Sequence, residues 1–279
     1  MVEHNQSGVL QADEVGSGSA GNGSAASKEG TETPLQALSS FCAVLVVGLF
    51  VMTFVFQNFV IPSGSMEKTL LIGDHVLVDR ITLAPPSKWA PFVHYREPRR
   101  GDVIVFLKPN PETPDLILVK RLIGVPGDRI HLVHGVVYLK GVAQNEPYAA
   151  LPKSTSDPDD AYSSARGDFP TNGTPSGSFE IWSVDLPSHV QQGDLVVPPG
   201  NFFAMGDNRE HSADGRFWGF VPRKNILGRP MFNYWSFETA ATQMDAQQEN
   251  LGTRIGSFFT TALHIVDKTR WSRTGHIIQ

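Results

Sequence analysis

Leu116-Ile-Leu-Val-Lys-Arg-Leu-Ile123, closed by Gly124 and by Pro126-Gly127, reads as a β-strand. The run is short, rich in branched apolar residues and stopped by turn formers, which is the punctuation of a sheet rather than of a helix. The neighbouring stretches read the same way. Asp74-His-Val-Leu-Val-Asp-Arg-Ile81 and Asp102-Val-Ile-Val-Phe-Leu107 are strand-like. Arg129-Ile-His-Leu-Val133 and Val136-Val-Tyr-Leu-Lys140 flank His134-Gly135 as a hairpin would. Residues 67–240 carry no helical period of useful length and no internal repeat. The chain beyond residue 59 is therefore expected to be mainly β.

Upstream, Leu38-Ser-Ser-Phe-Cys-Ala-Val-Leu-Val-Val-Gly-Leu-Phe-Val-Met-Thr-Phe-Val-Phe56 lies in a span without charge from Glu32 to Glu67. About 20 apolar residues cross a hydrocarbon core of about 30 Å, and in lipid a helix satisfies its own backbone. A single transmembrane helix is expected over 35–58. A cleaved signal peptide has a shorter apolar core and a basic cluster before it, and neither is present. Only Lys28 lies near the N-terminal end, so charge bias leaves the orientation open. Residues 1–34 are rich in Gly, Ser, Ala and Glu, and such a tail buries too little to offset its ordering entropy.

The β core is expected over 59–140 and 200–240, with 141–199 as an inserted cap. The insert is rich in Pro, Ser, Asp and Gly through residue 178, and no chemistry is assigned to it. In 241–279, Ile255, Phe258, Phe259, Ala262, Leu263 and Val266 fall at helical spacing. They predict an amphipathic helix packed on the domain. The alternative is an interfacial helix with Arg270, Trp271 and Arg273 at headgroup level.

The net charge is −5 with no basic stripe, which argues against nucleic acid as a partner. The single cysteine, Cys42, excludes an intrachain disulfide and a cysteine-based metal site. No H-E-x-x-H pair occurs, and histidine-only or mixed His/carboxylate metal sites stay open without sequence support.

Four segments could carry chemistry. Ile61-Pro-Ser-Gly-Ser-Met-Glu-Lys-Thr-Leu70 is a tight loop of small residues directly after the membrane segment. A serine there is a nucleophile only if a base takes its proton. Gly101-Asp-Val-Ile-Val-Phe106 and Val119-Lys-Arg-Leu-Ile-Gly-Val-Pro-Gly-Asp128 follow. Lys120 stands in an apolar run, and burial lowers a lysine's pKa toward that of a usable base. Met205-Gly-Asp-Asn-Arg-Glu-His-Ser-Ala-Asp-Gly-Arg-Phe-Trp-Gly219 is a polar loop in which Asp214 could pair Arg216 or Arg209.

In this order, after a membrane helix, the four segments resemble the boxes of bacterial type I signal peptidases over roughly residues 55–240. The resemblance implies a mainly antiparallel β catalytic domain and a Ser/Lys dyad, with no metal or organic cofactor. Ser65 would attack the scissile carbonyl, and Lys120 would take its proton. Ser63 and the Ser65 backbone N–H would form the oxyanion hole, and Ser212 would orient the lysine. Asp207, Asp214 and Arg216 would support the site. Ile61, Pro62, Met66 and Val119 would line small pockets for an Ala-x-Ala signature. Substrates would be exported preproteins, cut at the outer face of the bacterial cytoplasmic membrane by a bilayer-anchored monomer. Glu67-Lys68 and Glu210-His211 depart from the common pattern beside matched positions.

Other readings compete. Ser65-Met-Glu-Lys68 is also an S-x-x-K match to penicillin-interacting enzymes, but no S-D-N occurs and Arg273-Thr-Gly275 is the nearest K-T-G. A self-cleaving repressor-type peptidase would need a DNA-binding domain. An inactive membrane-anchored β module that binds a partner is a reading of another class. A Ser-His-Asp triad would draw on His75 or His211 with Asp207 or Asp214.

Overall fold

The structure, a computed structural model, describes residues 33–88, 94–109, 113, 115–151, 168–238 and 264–278. The chain divides into two units, residues 1–45 and 46–279. Helix α1 (Pro34–Phe50) continues as a π-helical turn through Val55. None of the combined 22 residues is buried, and together they form a helix long and apolar enough to cross a membrane. At 1.5 Å per residue they reach about 33 Å.

The second unit is built on two antiparallel sheets. The larger has the strand order β1 (Phe56–Val60), β2 (Asp74–Asp79), β12 (Ile226–Ser236), β3 (Val103–Leu107), β4 (Ile117–Gly124), β10 (Asn201–Met205), β11 (Val221–Pro222), and β13 (His276–Ile277) pairs with β12. The smaller runs β7 (Val142–Ala143), β6 (Val136–Leu139), β5 (Arg129–Val133), β9 (Asp194–Val196), β8 (Val190–Gln191). Two short helices, α2 (Glu180–Asp185) and α3 (Gly215–Trp218), lie in the connections. The expected mainly antiparallel β architecture is the one observed.

The sequence signals act locally as expected. The turn between β5 and β6 places His134 at φ 50° and Gly135 at φ 78°. Two successive positive φ values match the twist of a tight hairpin. β12 was not marked as a strand by its sequence, although it is central. Pro230 cannot donate to a ladder, and the register shifts between Pro230 and Phe232. A bulge thus accommodates the residue that disguises the strand.

Three apolar clusters fill the unit. One joins Ile104, Phe106, Leu122, Phe202, Phe217 and Trp218. A second, around Ile130, Leu132, Phe169 and Phe203, sits against the smaller sheet. The third gathers Ile61, Met66, Leu70, Val76, Val103 and Ile278. It places the loop after β1 directly on the core.

Residues Ile255, Phe258, Phe259, Ala262 and Leu263, which predicted a terminal helix, lie outside the described residues. From His264 onward the chain forms turns, a 3-10 turn (Trp271–Arg273) and β13. Arg270 and Arg273 are turned onto Asp74 at 3.7 and 2.6 Å. A buried carboxylate outcompetes water for those guanidinium groups.

Candidate active site

The loop joining β1 to β2 is closed at its base. Ile61 N–H donates to the Asp74 carbonyl at 2.9 Å, and Gly73 N–H donates to the Ile61 carbonyl at 3.0 Å. Within the loop, Gly64–Met66 makes one 3-10 turn that presents Ser65, with Met66 anchored in the core. Ser65 is 8% exposed.

Lys120 lies in the middle of β4, opposite Ile104 of β3, and is 3% exposed. Alternation along the strand puts it on one face with Leu118 and Leu122. Its Nζ is 2.6 Å from Ser65 Oγ and 3.2 Å from the Val119 carbonyl. Burial pulls the ammonium down to a pKa of about 8, against the Asp214 and Asp207 carboxylates, which hold it up. At pH 8 about half of the lysine is thus a neutral amine able to accept the Ser65 proton. Ser63 Oγ lies 3.4 Å from Ser65 Oγ.

The polar loop after β10 supports this pair from beneath. Asn208 N–H donates to the Ser65 carbonyl at 3.1 Å, and its Nδ2 donates to the Gly64 carbonyl at 3.3 Å. Gly206 permits that approach. A Cβ there would stand 2.4 Å from the Ser65 carbonyl oxygen and 2.3 Å from Ser212 Oγ. Asp214 and Arg216, both without exposure, form a two-point pair at 2.9 and 2.8 Å. Asp214 also accepts from Gly206 N–H at 3.1 Å. Arg209 pairs instead with Glu146, at 2.8 and 2.7 Å. Of the two partners open to Asp214 in the sequence, the fold uses Arg216.

Asp207 is held by Arg121 through two contacts of 2.8 Å each, and by the Thr69 hydroxyl. Arg121 follows Lys120 directly on the strand. Asp207 therefore ties the strand of the lysine to the loop of the serine.

One expectation fails geometrically. Ser212 Oγ is buried and has no hydrogen-bond partner, so the anticipated bond to Lys120 is not made. The lysine is instead directed at Ser65 and the Val119 carbonyl, while Ser212 packs over Gly206. Neither histidine considered for a triad bonds Ser65. His75 packs tilted against Trp235 with ring centroids 4.6 Å apart, and His211 is exposed.

The segment 141–151, given no chemistry by its sequence, braces the site. Glu146 pairs with Arg209, the Tyr148 ring lies 3.9 Å from the Arg121 guanidinium, and Ala150 N–H donates to the Asp207 carbonyl at 2.8 Å. The only local signal was Glu146 and Tyr148 themselves, standing in a stretch otherwise rich in turn formers.

Lys68 does not approach Ser65. Its Nζ donates to the Ala149 carbonyl at 2.7 Å. Lys68→Ala is therefore expected to keep cleavage within about threefold of the parent and to lose about 1 kcal/mol of stability. Parallel turnover assays and denaturant titrations check this, and loss of turnover in folded Lys68→Ala would restore the S-x-x-K reading.

Ile61, Pro62, Ser63, Ser65, Met66, Val119 and Lys120 line one groove of about 660 Å³. Among the described residues, β4 pairs with β10 only from Arg121 onward, so residues 117–120 keep an unpaired edge facing away from β3.

Comparison with known proteins matches residues 35–235 to the family model "Signal peptidase, peptidase S26". The chain is similar to signal peptidase I of Haemophilus influenzae, 32% identical over 80% of this chain and 74% of the relative. It is 30% identical to signal peptidase I of Leptolyngbya laminosa, over 76% of this chain and 85% of that one. It is 31% identical to signal peptidase I of Aquifex aeolicus, over 72% and 84%.

Proposed function

Because the chain belongs to the signal peptidase family, peptidase S26, we propose that Ser65 and Lys120 form its catalytic dyad and that it cleaves after an Ala-x-Ala signature. The chain is a serine endopeptidase that removes signal peptides from preproteins. The contact of 2.6 Å between Lys120 Nζ and Ser65 Oγ, both buried, carries the dyad reading.

In this mechanism the neutral amine of Lys120 accepts the Ser65 proton as Oγ attacks the scissile carbonyl. The carbonyl oxygen becomes an oxyanion facing Ser63 Oγ–H and the Ser65 backbone N–H. Lysine then returns the proton to the leaving amine, and an acyl-enzyme remains. A water molecule, deprotonated by the same amine, releases the signal peptide and regenerates Ser65. The substrate enters as an extended chain against the open edge of β4, where backbone hydrogen bonds give affinity and pockets select side chains. Ile61, Pro62, Met66 and Val119 leave room for small residues.

The protein acts as a monomer, anchored by α1 in the cytoplasmic membrane with the catalytic unit on its outer face. Ser65 follows Val55, the last residue of the apolar helix, by ten residues. Ten residues extend at most about 35 Å, so the nucleophile stays near the bilayer surface, where a signal sequence leaves it.

The test is cleavage, by detergent-solubilised protein, of a preprotein with alanine before the scissile bond and of its phenylalanine variant. The first is cut and the second is not. Equal cleavage of both would remove the small-pocket assignment. In the same assay Ser63→Ala is expected to lower kcat by about 10²–10³-fold, the usual value of one oxyanion donor. Unchanged kcat would exclude Ser63 from that role.

A further inference from the structure

We propose that the segment 264–278 is a clasp on the nucleophile loop and that Arg273 is a positioning residue for Ser65. The inference rests on the Ser65/Lys120 reading and adds an element to it from a stretch more than 190 residues away in sequence.

The loop from Ile61 to Asp74 carries backbone carbonyls, and the buried Asp74 carboxylate, that its own residues satisfy only in part. Asp74 has no exposure. Within its own surroundings it accepts from Leu71 N–H at 2.9 Å and from Ser236 Oγ–H at 2.6 Å. The rest comes from the clasp. Arg273 Nη2 donates both of its protons, to Asp74 Oδ2 at 2.6 Å and to the Thr69 carbonyl at 3.0 Å. Arg270 Nη2 donates to the Ile72 carbonyl at 2.7 Å. Ile278, 3% exposed, packs in the cluster that contains Ile61, Met66 and Leu70. Three successive parts of the loop are thereby gripped from one side.

The other side of the loop leads to the dyad. Thr69, whose carbonyl Arg273 holds, donates a hydroxyl hydrogen bond to Asp207, and Asp207 is paired with Arg121 beside Lys120. Met66, which adjoins Ser65, is 1% exposed and packs in the same cluster as Ile278. The clasp is itself fixed to the sheet. Its β13 pairs with β12 at Phe232 and Asn233, beyond the residues that β3 covers. Gly275 N–H donates to the Asn233 carbonyl at 2.7 Å, and Asn233 Nδ2 donates to the Arg273 carbonyl at 3.3 Å. β12 thus acts as the rigid support through which the clasp holds the loop.

A displacement of about 1 Å between reacting groups costs about 10²-fold in rate, while groove contacts spread over two strands change little. Removing the guanidinium should therefore act on kcat rather than KM. Lysine keeps the charge but offers a shorter arm, which cannot serve Asp74 and the Thr69 carbonyl equally.

The experiment measures kcat and KM for preprotein cleavage by the full-length detergent-solubilised protein and by Arg273→Gln, Arg273→Lys and Ser65→Ala, with turnover normalised to the folded fraction by circular dichroism. Arg273→Gln is expected to lose at least about tenfold in kcat with KM within about threefold, and Arg273→Lys to lose about three- to tenfold. Wild-type kcat in Arg273→Gln, a loss carried by KM, or a lysine variant no better than glutamine overturns the clasp. Should Arg273→Gln not fold, Arg273→Lys decides alone, and wild-type turnover in it overturns the clasp. Cleavage by Ser65→Ala would instead overturn the dyad, so the two failures are distinguishable.

Discussion

Lys120→Met is expected to abolish cleavage and, at neutral pH, to leave a more stable protein. The loss of activity follows from the loss of the only amine in contact with Ser65 Oγ among the described residues. Removing one member of a unit that acts together costs about 10⁴-fold or more in kcat. The gain in stability follows from the burial that makes the lysine a base. Its pKa is pulled from 10.5 in water to about 8, so between those values the unfolded chain binds more protons than the folded one. Stability therefore rises with pH from about 8 to 10.5, and below about 8 the full penalty applies. At about 1.4 kcal/mol per unit, that penalty is about 3 kcal/mol near pH 7. Methionine fills similar space without the charge. Urea midpoints at pH 7 and pH 10.5 test the sign: the variant leads at pH 7, and the lead shrinks at pH 10.5. A variant less stable than the parent at pH 7 would mean that the Asp214 and Asp207 attractions outweigh burial. The same pKa requires kcat/KM of the parent to climb with pH and level off above about 8.

What the sequence disclosed follows from how local each signal was. The strand bearing Lys120, the strand of Asp74 and the hairpin at His134-Gly135 each announced themselves by period and turn residues, because those properties are written within a few positions. The meeting of Ser65 with Lys120 is 55 residues distant in sequence, and only the likeness of four segments to a known family pointed to it. Three features escaped. β12 escaped because its polar and proline residues are absorbed by bulges that no local pattern signals. The bracing role of Glu146 and Tyr148 escaped because their partners, Arg209 and Arg121, come from other strands and loops. The unmade bond of Ser212 escaped because a family role says which residue is near the lysine, not where its hydroxyl points.

The second large effect belongs to Asp214→Asn. Asp214 and Arg216 are wholly buried and satisfy each other, so asparagine leaves a guanidinium in the interior without its counter-charge. Breaking one side of a buried pair costs about 3–5 kcal/mol. Local geometry is partly preserved, because an asparagine Oδ1 can still accept the Arg216 N–H that starts α3. The consequence for chemistry has a definite sign. Asp214 holds the Lys120 pKa up and Arg216 pushes it down. Deleting the carboxylate removes the first influence and unmasks the second, so the alkaline-rising limb of kcat/KM moves to lower pH in Asp214→Asn. Arg216→Gln, which also breaks the pair, must move the limb the other way. Opposite shifts in two variants of similar instability cannot arise from unfolding alone. Parallel pH profiles on folded protein decide it, and shifts of the same sign in both would show that the pair acts on the lysine only through structure.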